Sequence, residues 1–481
     1  MGAARIALAE VREQQQRAEY RQHLPACFER CLDTLATHRK EPNPTLEELT
    51  HAVWACRQEL TGQLTAPLLE QRVAAEQAQR QAPCPRCGRE VEARAVPLRP
   101  VETRGGKVEV ARPYCYCVPC SHGFAPLEAA LGLAEGRKQF ALQRAAARLT
   151  TEVPYETARD LFAELTGMSL GTERLPTVPT AVAEGLSGLD VAPPRAAIEA
   201  QIAAVAAGKR RRPVLVMALD GAYVPLRPET AGGGRPGRKH HRAKRARWQG
   251  EWPEAKGFRC YLVAGERIVH LLSWQQVQNQ EEVFAALEPV KTAGLIPAER
   301  VRLCVLAEGA AWIWERLTQL FPTARQIPDY YHCAQYLHRV AALQYSEDSE
   351  QAQEWVEALL ARLFVGEVAR VLRDLPHLQP TSDAAAAALA NLQAYLVTHR
   401  HRLPTGSQRR GGYPLGSGGI EAAHKFIAQV RLKRSGAWWY QTHSNPMLAL
   451  RWAKYNGTYE RVFGRYRQRM LTKSQQKHRK K

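Results

Sequence analysis

Long apolar runs are missing from this chain of 481 residues. No segment approaches the roughly 18 consecutive apolar residues that span a bilayer, and the amino terminus has no apolar signal-peptide core. Both absences argue against a membrane role and place the expected protein in the cytoplasm. Acidic residues are scarce as well: 47 Asp and Glu stand against 67 Lys and Arg, a formal net charge of +20. A surplus on that scale points to a polyanionic partner. Disulfides are not expected either, because eleven cysteines, an odd and partly clustered set, read in a cytosolic chain as thiols or metal ligands. What remains is an ordinary globular composition, 45% apolar and 24% charged, in a chain long enough for two or three domains.

Residues 1–80 are rich in Ala, Glu, Gln, Arg and Leu at helical spacing, which predicts a helical amino-terminal region. Cys27, Cys31 and Cys56 fall on these helices, where a free cysteine is usually a small core residue. Two knuckles follow, CPRCG with Cys84 and Cys87 and CVPC with Cys117 and Cys120, around strand-like VEARAV and KVEVARPYCY. Four thiolates in tetrahedral reach are the pattern of a structural zinc ribbon, so residues 81–125 are read as a zinc-ribbon-like module. Cys115 and His122 are close enough in sequence to replace one ligand, which leaves the set of four open.

Residues 126–205 return to helical spacing. A helix ending near Thr150, a turn, and a second helix from about Pro154 to Gly167 are compatible with a helix-turn-helix DNA reader, although most helical hairpins only pack. Further on, a Gly-rich basic stretch holds Arg235, Arg238, Lys239, Arg242, Lys244 and Arg245, and a later patch holds Arg431, Lys433 and Arg434. On so basic a chain these are expected to meet phosphates, adding affinity but little sequence specificity. The tail from residue 456 onward is expected to be a basic arm, disordered when free.

The carboxylates that matter most sit in residues 206–455. VLVMAL is too short for a typical helix and reads as a buried strand, with Asp220 at its carboxyl end, where open α/β sheets bind ligands. Asp-Gly opening a turn is the bland alternative. FRCYLVAGERIVHLLSW reads as a hairpin and QQVQNQEEVFAALEPVKTAG as a helix closed by Gly294. VRLCVLAEG then repeats the strand-carboxylate-Gly arrangement with Glu308, a third short strand ends near Asp329, and helices follow to about residue 405. Glu421 lies in the first turn of a late helix. This is the element order of an RNase H-like α/β core with a helical insertion at about 340–405. Strand ends and a facing helix can gather three carboxylates around two divalent cations, and oxygen ligands select magnesium or manganese.

From CPRCG to about Trp452 the chain resembles bacterial insertion-sequence transposases of the DDE class, most of all the ISKra-type family. The resemblance is carried by the two knuckles, PLEAALGL, YETARDLFAELTG, LDGAYVPLR, EWPEAKGFRCYL, EGAAWIW, DYYHCAQYL and GSGGIEAAHKFIAQVRLKRSGAWW. It implies that Asp220, Glu308 and Glu421 are the catalytic acids, and that Asp329 and His332 of DYYH support the site or position the scissile strand. The pattern departs at one place, with Glu308-Gly309-Ala310 where the family has Asp-Gly-Ala. The extra methylene moves the carboxylate about 1 Å, a misplacement that can cost roughly a hundredfold in rate.

The reaction the resemblance implies is metal-dependent hydrolysis at the transposon ends followed by attack of the freed 3′ hydroxyl on target DNA. Terminal repeats and target DNA are the expected partners, a homodimer or larger assembly is expected on paired ends, and the bacterial nucleoid is the expected location. A competing expectation is a transposase-derived binder that has lost catalysis through Glu308 and only holds or represses the ends. A generic RNase H-like nuclease would leave the knuckles and the DNA-reading helices unexplained.

Overall fold

The computed structural model describes residues 45–77, 81–171, 175–228, 250–345, 349–403 and 406–479, with a few scattered positions between 18 and 36. The chain divides into two compact units, residues 1–182 with 463–481, and residues 183–462. Both helices and sheets are present, so the fold is mixed α/β. No helix among the described residues is long and apolar enough to cross a membrane.

The first unit holds a long helix, α1 (Leu46–Gln77), and six short strands. Strands β1 (Gln81–Pro83), β2 (Glu90–Ala95), β5 (Tyr114–Cys117) and β6 (His122–Phe124) form one sheet in the order β1-β2-β5-β6. Between them β3 (Leu98–Thr103) and β4 (Gly106–Ala111) form a separate hairpin. Helices α2 (Phe140–Glu152) and α3 (Tyr155–Thr166) follow, close to the expected boundaries. Gly167 ends α3 with φ +62°, a left-handed cap that a residue with a side chain adopts only at a cost. Leu142 and Ala146 of α2 and Phe162 of α3 share one buried cluster with Met168 and Leu170.

The second unit is built on a five-stranded sheet of order β11-β10-β7-β8-β9. Helix α4 (Arg195–Ala206) leads into β7 (Val214–Tyr223), which pairs antiparallel with β8 (Glu254–Ala264). A two-residue turn, Gly265-Glu266, returns the chain as β9 (Arg267–Val277). Gly265 has φ +68° in the first turn position, as a type II′ hairpin turn requires. Asn279 caps α5 (Gln280–Thr292) through a capping box with Glu282. β10 (Arg302–Ala307) and β11 (Arg325–Pro328) then add parallel strands beyond β7, with α6 (Ala311–Leu320) between them. Val214, Val216 and Ala218 face Ile420 across a buried cluster, so the even-numbered side of β7 looks toward the late helix that carries Glu421.

After β11 the chain runs through α7 (Tyr330–Gln344), α8 (Glu350–Val365), α9 (Val368–Asp374) and α10 (Asp383–His399). These share a core of their own, in which Leu337, Leu392 and Leu396 are fully buried. Each such leucine contributes about 1.5–3 kcal/mol by leaving water. A short helix, α11 (Gly418–His424), passes into a π-helical turn at Lys425–Gln429. α12 (Gln441–Tyr455) then packs on β9, where Trp452 Nε1 donates to the Gln275 carbonyl at 3.1 Å.

Two expectations are corrected. Asp220 does not end its strand: β7 continues to Tyr223, and Asp220 stands opposite Gly257 of β8. The parallel partner β10 stops pairing at Ala218, so Asp220 lies just beyond the parallel ladder while the antiparallel neighbour carries the strand on. The basic tail is not an irregular arm either, since α13 spans Tyr459–Arg479. Apolar residues recurring at helical spacing explain this: Tyr466 is buried, meets the Phe140 ring edge-on with centroids 6.2 Å apart, and its hydroxyl donates to Gln143 Oε1 at 2.7 Å.

Candidate functional site

Two places in the molecule concentrate chemistry. In the first unit, each CxxC pair occupies the turn of a hairpin, Cys84 and Cys87 between β1 and β2, Cys117 and Cys120 at the turn between β5 and β6. Pairing of β2 with β5 brings the two turns together. Gly88 closes the first knuckle with φ +73° and donates its N–H to the Cys84 carbonyl at 2.9 Å. Among the described residues these four cysteines are the only group of three or more His, Cys, Asp or Glu whose ligand atoms all lie within 4.8 Å of one another.

The sulfurs fit a tetrahedral ion. Cys87 Sγ and Cys117 Sγ are 3.7 Å apart, and a tetrahedron with Zn–S bonds of about 2.3 Å has an edge of about 3.8 Å. Their acidities are pulled apart by crowding. Burial opposes ionisation of Cys84, but the backbone N–H groups of Arg86 and Cys87 bring it down to about 7. The Cys87 thiol beside it pushes Cys120 up to about 12. The four could therefore hold a metal ion such as zinc. Cys115 and His122 are outside the cluster: Cys115 is buried opposite Phe124 and His122 stacks on Phe124 at 6.1 Å.

In the second unit, Asp220, Glu308 and Glu421 come from three separate elements into one electrostatic neighbourhood. Burial pushes the Asp220 carboxyl up to about 7; the Gly221 N–H opposes this, and Glu308, Glu421 and Glu254 push the same way as burial. The three acids are not drawn together as closely as the four sulfurs. A small cleft gathers Asp220, Glu254, Lys256 and Glu308, with Trp312 on its wall. Glu308 is exposed directly after β10 and Glu421 is exposed in the first turn of α11.

The surroundings hold these groups in place. His424, buried on α11, sets Nδ1 3.5 Å from Asp220 Oδ2. Burial lowers its ring to about 4, with Arg259 and Lys433 adding to the shift. Asp329 caps α7, accepts the Tyr331 N–H at 3.0 Å and the Ser417 hydroxyl at 2.7 Å. The same Ser417 oxygen is hydrogen-bonded to Glu421. One hydroxyl proton thus serves two carboxylates, and only one of them can receive it at a time. Arg259, buried on β8, donates to the Gly419 carbonyl at the start of α11 and to the Tyr455 hydroxyl at 2.8 Å.

Gly309 follows Glu308 with φ +120°, a conformation open only to glycine. A Cβ there would sit 3.1 Å from His399 Nε2 and from Tyr395 Cε2, so α10 fits against the backbone at Glu308. His332 joins this wall, edge-on to Tyr336 at 5.5 Å and Tyr395 at 6.1 Å, and does not touch the acids through any recorded bond.

Sequence reasoning missed Glu254, Lys256, Ser417 and His424. Glu254 and Lys256, ion-paired to each other, lie in the EWPEAKGF segment, and a Cβ on Gly221 would collide with the Glu254 side chain. His424 follows Glu421 by three residues on one helix face, a spacing that could have drawn notice.

The basic positions fare unequally. Arg235, Arg238, Lys239, Arg242, Lys244 and Arg245 lie outside the described residues. Arg431 is not on the surface: it is 3% exposed, with its guanidinium 4.7 Å from the Trp439 ring centroid. A guanidinium held over an indole is attracted by the ring face. Lys433 is half-buried and Arg434 exposed. Helix α3 carries Glu156, Asp160 and Glu164 against Arg159, which itself contacts Asp160 at 2.8 Å. That balance repels phosphates.

No protein-family model matches this chain, and no curated protein matches it. What the two sites can do is therefore read from their residues.

Proposed function

We propose that the chain is a DDE-class insertion-sequence transposase of the ISKra type, with an RNase H-like core, that cuts DNA at element ends and joins them to target DNA. One observation carries this reading: Asp220 is held at about 7 by burial and by three neighbouring glutamates. A site that disfavours its own ionised carboxylate gains most when a cation arrives. The sheet order, with β7 antiparallel to β8 on one side and parallel to β10 on the other, supports an RNase H-like core. Helices α7–α10, between Asp329 and Ser417, correspond to a helical insertion before the last acid.

Asp220, Glu308 and Glu421 would hold two divalent cations, and their oxygen donors favour magnesium or manganese. Such ions activate an attacking oxygen and stabilise a leaving one. Asp220 would hold a cation as its carboxylate, and His424, neutral near pH 7, limits where that carboxylate can turn. Ser417 orients Glu421, and Arg259 fixes the start of the helix that carries it. Lys256 keeps Glu254 compensated in the same cleft. In the first unit, zinc on Cys84, Cys87, Cys117 and Cys120 would be structural, because four protein ligands leave no open position. DNA is the partner of this reading, with a homodimer or larger assembly on paired ends at the bacterial nucleoid.

The test is cleavage of a supercoiled plasmid carrying the element's own ends, with magnesium or manganese. Nicking at the ends that disappears in Asp220→Ala supports the reading. Binding of the ends without nicking by the natural chain, and with nicking by Glu308→Asp, would favour the binder that has lost catalysis.

A further inference from the structure

At the amino edge of the five-stranded sheet lies a groove of about 730 Å³ that the carboxylate site does not use. Lys209, Arg211 and Arg212, just before β7, line it together with Arg267 and Arg302, the first residues of β9 and β10. Glu266 is the acid on its wall. Among the described residues none of the five cations is ion-paired with a carboxylate. Clustered cations without counter-charges repel one another, so an arrangement of five is stabilised by an anionic occupant.

Two of the five are fixed in place. Arg302 donates Nε to the Arg212 carbonyl at 2.9 Å and Nη1 to the Gly411 carbonyl at 2.7 Å, and its guanidinium stands 5.3 Å from the Tyr413 ring centroid. Arg212 Nη1 donates to the Glu299 carbonyl at 2.6 Å. Carbonyl partners hold a guanidinium without neutralising it, so its remaining N–H groups stay available to phosphate oxygens. The segment Gly412–Gly419 forms another part of the wall; a side chain would meet open space at Gly412 and Gly418, while the Tyr331 and Tyr261 rings fill that space at Gly416 and Gly419.

The groove takes in Pro213 and Val214 at the start of β7 with Tyr261 and Val263 of β8, and Asp220 is not on its wall. Tyr331 lines it too: the ring is 62% exposed, lies against Gly416, and sits two residues after Asp329. An exposed aromatic ring at the end of a cationic track is how unpaired nucleotides are held: phosphates on the cations and a base on the ring. The groove is concave, unlike a surface that meets a bilayer.

We propose that this groove holds an unpaired DNA strand, with its phosphates on Lys209, Arg211, Arg212, Arg267 and Arg302 and a base stacked on Tyr331. That the strand is DNA cut at the carboxylates rests on the transposase reading; the binding of single strands does not.

The test uses the full chain in an Asp220→Asn background without added divalent cation, and fluorescence anisotropy of a labelled twelve-nucleotide oligothymidylate. The triple variant Lys209→Gln/Arg211→Gln/Arg267→Gln, confined to exposed side chains, is expected to bind at least about tenfold more weakly. Its log–log salt slope should be shallower by about 2. Tyr331→Ala is expected to lose about five- to a hundredfold for the single strand and little for a duplex. Unchanged affinity and slope in the triple variant would overturn the proposal, as would a duplex of equal length binding more tightly with no effect of Tyr331→Ala. If the natural chain never cuts plasmid while these binding results hold, the transposase reading fails and the groove stands. If it cuts while the triple variant binds oligothymidylate normally, the groove fails and the transposase reading stands.

Discussion

His424 places Nδ1 3.5 Å from Oδ2 of Asp220, and the two groups shift in opposite directions, the carboxyl up to about 7 and the imidazole down to about 4. Burial is the leading cause of both. Near neutrality the metal-free site therefore favours an uncharged pair.

The pH dependence of stability follows. Asp220, whose folded value lies above its ordinary one, contributes stability that is present below about pH 4 and lost as pH rises through about 7. Full loss is on the order of 4 kcal/mol at roughly 1.4 kcal/mol per pH unit. His424, shifted down, does the reverse, contributing above about pH 6.5 and losing as pH falls toward 4. Urea unfolding of metal-free protein should show Asp220→Asn more stable than the natural chain at pH 8 and the two converging near pH 4. An equal difference at both pH values would contradict this.

Replacing Glu308 by Asp shortens the carboxylate without touching the glycine turn behind it. Cleavage with magnesium is expected to rise by about tenfold to a hundredfold, because a shift of about 1 Å in a reacting group carries that cost. Quantified nicking of plasmid ends checks this, and a fall in rate would mean that the site is built around the longer side chain.

Cys84→Ser should remove a buried thiol from a four-sulfur cluster. Metal analysis of purified protein is expected to give one zinc in the natural chain and none or a fraction in the variant, with unfolding of the first unit at lower temperature. Zinc content unchanged by Cys84→Ser would exclude this cluster as the site. Removing the metal should cost less stability at acidic pH, where protons compete with it for the thiolates.

Arg259→Lys removes a planar fork that joins the Gly419 carbonyl to the Tyr455 hydroxyl. A loss of about 1–3 kcal/mol is expected for a buried charged hydrogen bond, together with slower cleavage and unchanged DNA affinity. Calorimetry and plasmid nicking measure the two effects, and a drop in affinity equal to the drop in rate would place Arg259 on DNA instead.

Much of this was legible because the signals are local. VLVMAL, the Ala-Gly-Glu-Arg turn, the helix closed by Gly294, and the paired cysteines each announce themselves within a few residues. The late helix with Glu421 in its first turn was visible for the same reason. What stayed hidden depends on partners far along the chain. Asp220 lies inside its strand because β8 extends the pairing to Tyr223, which no feature of residues 214–223 reveals. Arg431 reads as a surface cation until Trp439 closes over it. The tail's charges outnumber its apolar residues, but Tyr466 has Phe140 to pack on, more than 300 residues away. His399 packs against Gly309 only because that residue has no side chain.

The hydrogen bond from Ser417 to Asp329 spans 88 positions of sequence, so the helices between them leave the sheet and return at the same spot. Such an excursion behaves as a graft held at its base, by Ser417 on Asp329 and by the Tyr395–His399 face on Gly309. Lengthening it costs little, roughly 0.6 kcal/mol for each doubling of a closed loop. Its far end is thus free to diverge between related chains, while the Tyr395–His399 face that fits against Gly309 cannot.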